Sequence, residues 1–183
     1  ISLNSIGKPL FNVQVKIEGT YEDGVGEICV KGPMVMLGYY KNKEETDKVM
    51  KNGWFYTGDL GYKDRYGNYR ITGRSKNVIV TRNGKNVYPE ELEFYLLKHS
   101  VIKEVVVTSE RGDIITAHIF PDENEIAKKL RKDTVTSAEI KKAITQAIRD
   151  VNKRIPSYKN IRDTVIRKEE FSKTTTHKIK RHQ

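Results

Sequence analysis

The chain has 183 residues, long enough to bury one good core or two small ones, and a formal net charge of +10. Its single cysteine excludes an intrachain disulfide, and with no long apolar run and no leader pattern after Ile1, neither secretion nor membrane spanning is expected; the predicted location is cytoplasmic, compatible with peripheral membrane contact. Lys and Arg are interleaved with Asp and Glu everywhere but in the tail from Lys173 to Arg181, and no zinc-ligand spacing, RNP-like aromatic pair or Gly-x-x-Gly clamp accompanies them, so no nucleic-acid partner is expected.

Strands come first. Residues 10–17 alternate with period two, which predicts a half-buried strand, and residues 21–26 read as a hairpin loop leading into a second strand over 27–31. Cys29 lies within that second strand and reads as a small buried hydrophobe. A short helix is expected over 44–50, closed by Asn52-Gly53. Residues 54–58 and 69–72 read as further strands around a turn at 64–68. These strands lack helices enough to cover a sheet, so this part is expected to dock on sequence outside the chain.

Past Arg74 the pattern changes. Pro89 opens a helix at a position where its missing N–H costs nothing, with Leu92, Tyr95 and Leu96 as its apolar face. Residues 105–107 and 114–120 read as two strands joined by a turn at 110–113. Residues 137–155 carry Ile140, Ala143, Ile144, Ala147, Ile148, Val151 and Ile155 on one helical face, behind a Thr136/Glu139 capping box and ahead of Pro156. A last strand is expected over 161–167. The fold class is therefore α+β: a β-rich portion over residues 1–74, then a small domain over 75–183 with one sheet and two or three helices.

Four segments in order carry more than the composition does: Tyr56-Thr57-Gly58-Asp59; Gly73-Arg74-Ser75-Lys76; Asn83-Gly84-Lys85 with Glu90-Glu91-Leu92-Glu93; and Thr174-Thr175-Thr176-His177-Lys178. With the run from Gly26 to Tyr40 in front of them, they resemble the closing third of the adenylate-forming enzymes of the acyl-CoA synthetase superfamily, over about residues 7–183. The resemblance implies that residues 1–74 are the end of a large N-terminal adenylation domain, and that 75–183 form a small mobile C-terminal lid domain. It also implies an AMP-forming acid–thiol ligase that makes an acyl-adenylate from a carboxylic acid and ATP, then passes the acyl group to CoA. The cofactors implied are ATP, Mg²⁺ and CoA, with ATP and Mg²⁺ held mainly by the N-terminal domain, which is also the implied partner. The segments at 77–80 and 84–93 are most similar to long-chain fatty acid CoA ligases, giving a fatty acid as the expected substrate.

Site residues follow by type and then by resemblance. Asp59 in a turn reads alone as an Asx-turn or cap; the resemblance implies that its two oxygens accept from the ribose hydroxyls of ATP, with Arg74 as an added donor. Lys76 falls where the composition changes, and the resemblance makes it the hinge. Gly84 after Asn83 reads as a hairpin tip at φ > 0; the resemblance places it beside the pantetheine tunnel, with Glu91 and Glu93 helping to fix the loop. Lys178 alone reads as a solvated lysine of a basic tail; the resemblance implies that it is the catalytic residue, an ammonium worth about 3 to 4 kcal/mol to the adenylation transition state. His177 departs from the family's usual Gly, and Ser172 from a frequent Pro, which bears on the loop conformation more than on the lysine. No metal ligand set is expected. The chain contains no Ser/Thr/Gly-rich phosphate loop and no Tyr-Gly-x-Thr-Glu adenine platform, so by itself it is expected to be inactive. The rival readings are an adenylation domain that loads an amino or aryl acid onto a carrier protein and, from another class, a basic nucleic-acid-binding or silent interaction module.

Overall fold

The computed structural model describes residues 5–21, 23–110 and 114–181. Two compact units divide the chain, Ile1–Val78 and Ile79–Gln183.

In the first unit, β1 (Gln14–Glu18) and β2 (Gly26–Lys31) run antiparallel with Val15 opposite Val30. Helix α1 (Lys43–Val49) starts at Asn42, whose side chain accepts from the Glu45 N–H at 3.1 Å, and Glu44 and Glu45 place negative charge on its first turn. Strands β3 (Met50–Lys51), β4 (Trp54–Lys63) and β5 (Tyr69–Arg74) complete a sheet in which β4 is central, pairing with β2, β3 and β5. Val25, Ile28, Cys29, Leu60 and Tyr69 are buried in this unit. Burial pushes the Cys29 thiol up to about 11, aided by the charges of Glu27 and Glu18, so it stays protonated and packs as a small hydrophobe.

Two expectations change here. Residues 10–13 form a reverse turn, Val13 N–H donating to the Leu10 carbonyl at 3.0 Å with Asn12 at φ +65°, and Leu10 and Phe11 are exposed. A left-handed Asn interrupts the extended chain that period-two alternation predicts. Asn52-Gly53 does not close α1: the two residues, at φ +53° and +75°, form the two-residue turn between β3 and β4. The helix itself ends at Val49, one residue short of the expected end, where Met50 becomes extended to pair with Phe55.

The second unit opens with a two-stranded ribbon, β6 (Ile79–Val80) and β7 (Asn86–Val87), in addition to the single sheet expected. Then come α2 (Pro89–Leu96), β8 (Ile102–Glu110), β9 (Ile114–Pro121), α3 (Glu123–Leu130), α4 (Ser137–Asn152) and β10 (Asp163–Ile166). The sheet order is β10-β9-β8, with β8 antiparallel and β10 parallel to β9. A parallel neighbour requires a crossover, and α3 and α4 supply it. Leu92 and Leu96 of α2, Val105 and Val107 of β8, Ala117 and Ile119 of β9, Ile126 of α3, and Ile144 and Val151 of α4 meet in one core. Each such buried Leu, Ile or Val side chain contributes about 1.5–3 kcal/mol.

The sequence allows a third helix in this unit without giving its range, and α3 fills that place. Its cues are Asp122, accepting from the Glu125 N–H at 3.0 Å, and a left-handed Arg131 that ends it, around only two buried residues, Ile126 and Ala127. The capping box at α4 is present with both reciprocal bonds, yet the helix stops at Asn152; Ile155 still packs on the core from beyond its end. The turn expected at 110–113 falls largely on residues outside the described ones.

Candidate functional site

The segment Tyr56-Thr57-Gly58-Asp59 owes its shape to a break in the β2–β4 register between Glu27 and Cys29. The Thr57 hydroxyl donates to the Ile28 carbonyl at 2.8 Å and accepts from the Asp59 N–H at 3.0 Å. Gly58 takes φ +71°, which a side chain resists, and its N–H donates to Glu27 Oε1 at 2.9 Å. After this bulge, Asp59 re-enters the ladder directly opposite Arg74. The Arg74 Nε lies 2.8 Å from Asp59 Oδ1, and one of its terminal nitrogens lies 3.4 Å from the Thr57 carbonyl. The Asp59 side chain remains 27% exposed, so a ligand hydroxyl has access to it.

Lys76 is the middle residue of a three-residue 3₁₀ turn, Ser75–Asn77, that follows β5. Its side chain is exposed, and the division between the two units falls two residues later, between Val78 and Ile79.

In the second unit Gly84 stands in the loop that joins β6 to β7. Thr81 N–H donates to the Lys85 carbonyl and Gly84 N–H to the Thr81 carbonyl, both at 2.9 Å, while the Thr81 hydroxyl accepts from the Lys85 N–H at 3.1 Å. At φ +70°, with no atom within 4 Å of where a Cβ would stand, Gly84 is required by its backbone conformation and not by crowding. Glu91 and Glu93 are committed to other partners. Glu91 pairs with Lys159 at 2.6 Å; Glu93 Oε1 accepts from the Val107 N–H at 2.7 Å, and its other oxygen pairs with Arg181. Burial raises the Glu93 pKa, opposed by that N–H and by the Arg181 charge.

Lys178 ends a loop of the same construction. Thr174 N–H donates to the Lys178 carbonyl at 2.8 Å, His177 N–H to the Thr174 carbonyl at 2.9 Å, and the Thr174 hydroxyl accepts from the Lys178 N–H at 3.2 Å. Lys173 bridges Ile179 below it. His177, at φ +58°, occupies the left-handed position that Gly84 fills in the other loop. The turn that Gly would favour therefore forms with His in place, at the strain cost of a non-glycine residue in that region. The Lys178 side chain is exposed, with no carboxylate partner among the described residues.

Of the expected site residues, Asp59 and Arg74 are brought into direct contact within the first unit, and Gly84 and Lys178 occupy two hairpin loops of the second. Sequence reasoning passed over Glu27, Glu104 and Arg181. Arg181 lies three residues past Lys178 in the basic tail, but its partner Glu93 is 88 residues upstream, and no local pattern joins them. Among the described residues, no group of three or more His, Cys, Asp or Glu side chains converges as a metal site would, and no helix is long and apolar enough to cross a membrane.

Comparison with known proteins adds a family. The model for the AMP-binding enzyme C-terminal domain matches residues 76–183. The chain is 45% identical over 98 residues to the long-chain-fatty-acid–CoA ligase of Bacillus subtilis (strain 168), covering 51% of this chain and 17% of that protein. It is 40% identical over 140 residues to the 2-succinylbenzoate–CoA ligase of Oceanobacillus iheyensis, covering 71% of this chain and 29% of that protein. Among solved structures, the o-succinylbenzoate coenzyme A synthetase of Bacillus subtilis in complex with ATP and magnesium ion is similar at a TM-score of 0.74 and 29% identity, over 97% of this chain and 35% of that one.

Proposed function

Because the chain belongs to the AMP-binding enzyme C-terminal domain family, we propose that it forms the closing part of an ATP-dependent acid–CoA ligase, working with a longer N-terminal domain. The observation that carries this reading is Lys178, an exposed ammonium without a carboxylate partner among the described residues, held at the end of an ordered hairpin loop. In the first half-reaction an oxygen of the substrate carboxylate attacks the α-phosphorus of ATP, the bond from that phosphorus to the bridging oxygen breaks, and pyrophosphate leaves. Lys178 offsets the negative charge gathered there. In the second, the CoA thiol attacks the acyl carbon, its proton passes to solvent and AMP leaves.

Asp59 accepts from the ribose hydroxyls through the oxygen not engaged by Arg74, and Arg74 fixes the carboxylate's orientation. Magnesium and the phosphates are held mainly by sequence outside this chain. Exposed Leu37, Tyr40 and Phe11 of the first unit fit a surface that the N-terminal domain covers. Lys76 is the hinge between residues 1–74 and 75–183: a short turn at an element boundary can absorb a φ/ψ change and re-aim the lid, alternately presenting Lys178 for adenylation and the Gly84 loop for the pantetheine arm.

For the acid, we propose a long-chain fatty acid, supported by the higher identity to the fatty-acid ligase. An o-succinylbenzoate-type aryl acid is the second reading, favoured by the longer match to that ligase. The test is the whole protein assayed for acid-dependent pyrophosphate release and CoA thioester formation with palmitate, o-succinylbenzoate and an amino acid panel. Palmitoyl-CoA as the preferred product supports the first reading, and no acid-dependent pyrophosphate release overturns the ligase assignment.

A further inference from the structure

The Lys178 loop is held at the base of both its strands by carboxylates from elsewhere in the second unit. On the incoming strand, the Phe171 N–H donates to Glu104 Oε2 at 2.8 Å, Lys173 pairs with the other Glu104 oxygen, and Lys173 also lies 3.0 Å from Glu170. Glu170 is joined in turn to Lys103 at 2.7 Å. On the outgoing strand, Arg181 pairs with Glu93 and lies 3.5 Å from Glu90. Glu104 comes from β8 and Glu93 from α2, and both are buried, at 8% and 9% relative exposure. Glu93 cannot swing freely to follow Arg181, because its other oxygen accepts from the Val107 N–H.

A buried carboxylate without a partner is costly, so these two hold their cations firmly. Between the anchors the hairpin closes on itself through Thr174 N–H to Lys178 carbonyl and Lys180 N–H to Ser172 carbonyl, at 2.8 and 2.9 Å. The left-handed His177 adds strain that would favour opening if either base were released.

We infer that Arg181, locked onto Glu93, is a positioning residue that aims Lys178. This rests on Lys178 being the adenylation lysine. The contacts of Arg181 are to α2, and it is asked to touch neither ATP nor the acid. A loose catalytic group loses rate steeply with displacement, and an error of about 1 Å can cost about a hundredfold.

The experiment compares R181A, R181K, E93Q, K178A and the double variant R181A/K178A in the whole protein, each half-reaction being measured separately. R181A is expected to slow acid-dependent pyrophosphate release about 10- to 100-fold while thioester formation from supplied acyl-adenylate stays within about twofold. R181K, which keeps the charge, should recover part of the loss, and E93Q, which keeps an acceptor for Val107, should reproduce it more mildly. The double variant should be no slower than K178A, since both changes act through one ammonium. In hydrogen exchange, the Thr174 and Lys180 amides should exchange faster in R181A while those of α4 stay unchanged. A normal adenylation rate for R181A beside an impaired K178A overturns this inference alone. Equal slowing of both half-reactions, or losses that multiply in the double variant, also overturns it, whereas a normal K178A removes the reading on which it rests.

Discussion

Arg74 Nε stands 2.8 Å from Asp59 Oδ1 across the β4–β5 ladder, the two residues being direct cross-strand partners. The pair is partly solvated, the Arg74 side chain being 55% exposed, so it contributes at most about 1 kcal/mol to stability. Its consequence is orientation. Oδ1 is occupied by Arg74, and three local hydrogen bonds stiffen the bulge that leads into Asp59.

Asp59→Ala in the whole protein should therefore weaken ATP binding far more than it weakens the fold. Loss of a charged acceptor is worth about 1.5–3 kcal/mol, or about 10- to 150-fold in the KM for ATP. Thermal denaturation alongside ATP saturation curves checks both parts. A large fall in melting temperature with an unaltered KM would assign Asp59 to the fold alone.

Lys178→Ala should lower the rate of adenylate formation by about two to three orders of magnitude, as removal of one oxyanion donor does, and leave thioester formation from supplied adenylate near the parental rate. Separate half-reaction assays read this split directly.

Lys76→Pro fixes φ in the turn at Ser75–Asn77. Under the proposed hinge role, one half-reaction should persist while overall turnover collapses, because a locked turn holds a single orientation. Rapid-quench measurement of each step separates this from a general loss of activity; parental turnover would remove Lys76 from the role.

The two hairpin loops make opposite stability predictions. Gly84→Ala forces a side chain into φ +70° and should destabilise the second unit by about 1 kcal/mol. His177→Gly relaxes a residue already at φ +58°, so the change should lie between neutral and about 1 kcal/mol of stabilisation, the gain being offset by the greater freedom of glycine in the unfolded chain. Chemical denaturation of the 183-residue chain and its two variants tests the ordering.

Acid should loosen the start of α4. Pairing with Lys132, then the Thr136 N–H and hydroxyl, draws the Glu139 pKa from its ordinary 4.5 down to about 2. A carboxylate depressed in the folded state stabilises it fully above about pH 4.5, and the contribution fades as pH falls toward about 2. An NMR titration should show the Thr136 and Glu139 amides shifting together in that window, and Glu139→Gln should remove the transition. A midpoint near the ordinary value would show that the capping box does not hold in solution.

What could be read along the chain were features whose causes lie within a few residues of one another. The Thr136/Glu139 box, Pro89 at a helix start, the apolar face from Ile140 to Val151 and the Asn83-Gly84 turn all rest on contacts between near neighbours, and each stands as expected in the structure. Where a local signal admitted two outcomes, the surrounding fold chose: Asn52-Gly53 became a hairpin because Met50 and Lys51 found Phe55 and Trp54 to pair with, and residues 10–13 turned on the left-handed Asn12 instead of extending β1. The site divides in the same way. Asp59, Arg74, Gly84 and Lys178 could be named from residue type and resemblance, but that Arg74 orients Asp59 depends on the register of β4 and β5, and that Glu93 grips Arg181 depends on α2 packing beneath the tail. Ion pairs between residues far apart in sequence carry no periodic signature, since topology alone brings them within hydrogen-bonding distance, and only the tertiary structure could decide which carboxylates hold the Lys178 loop.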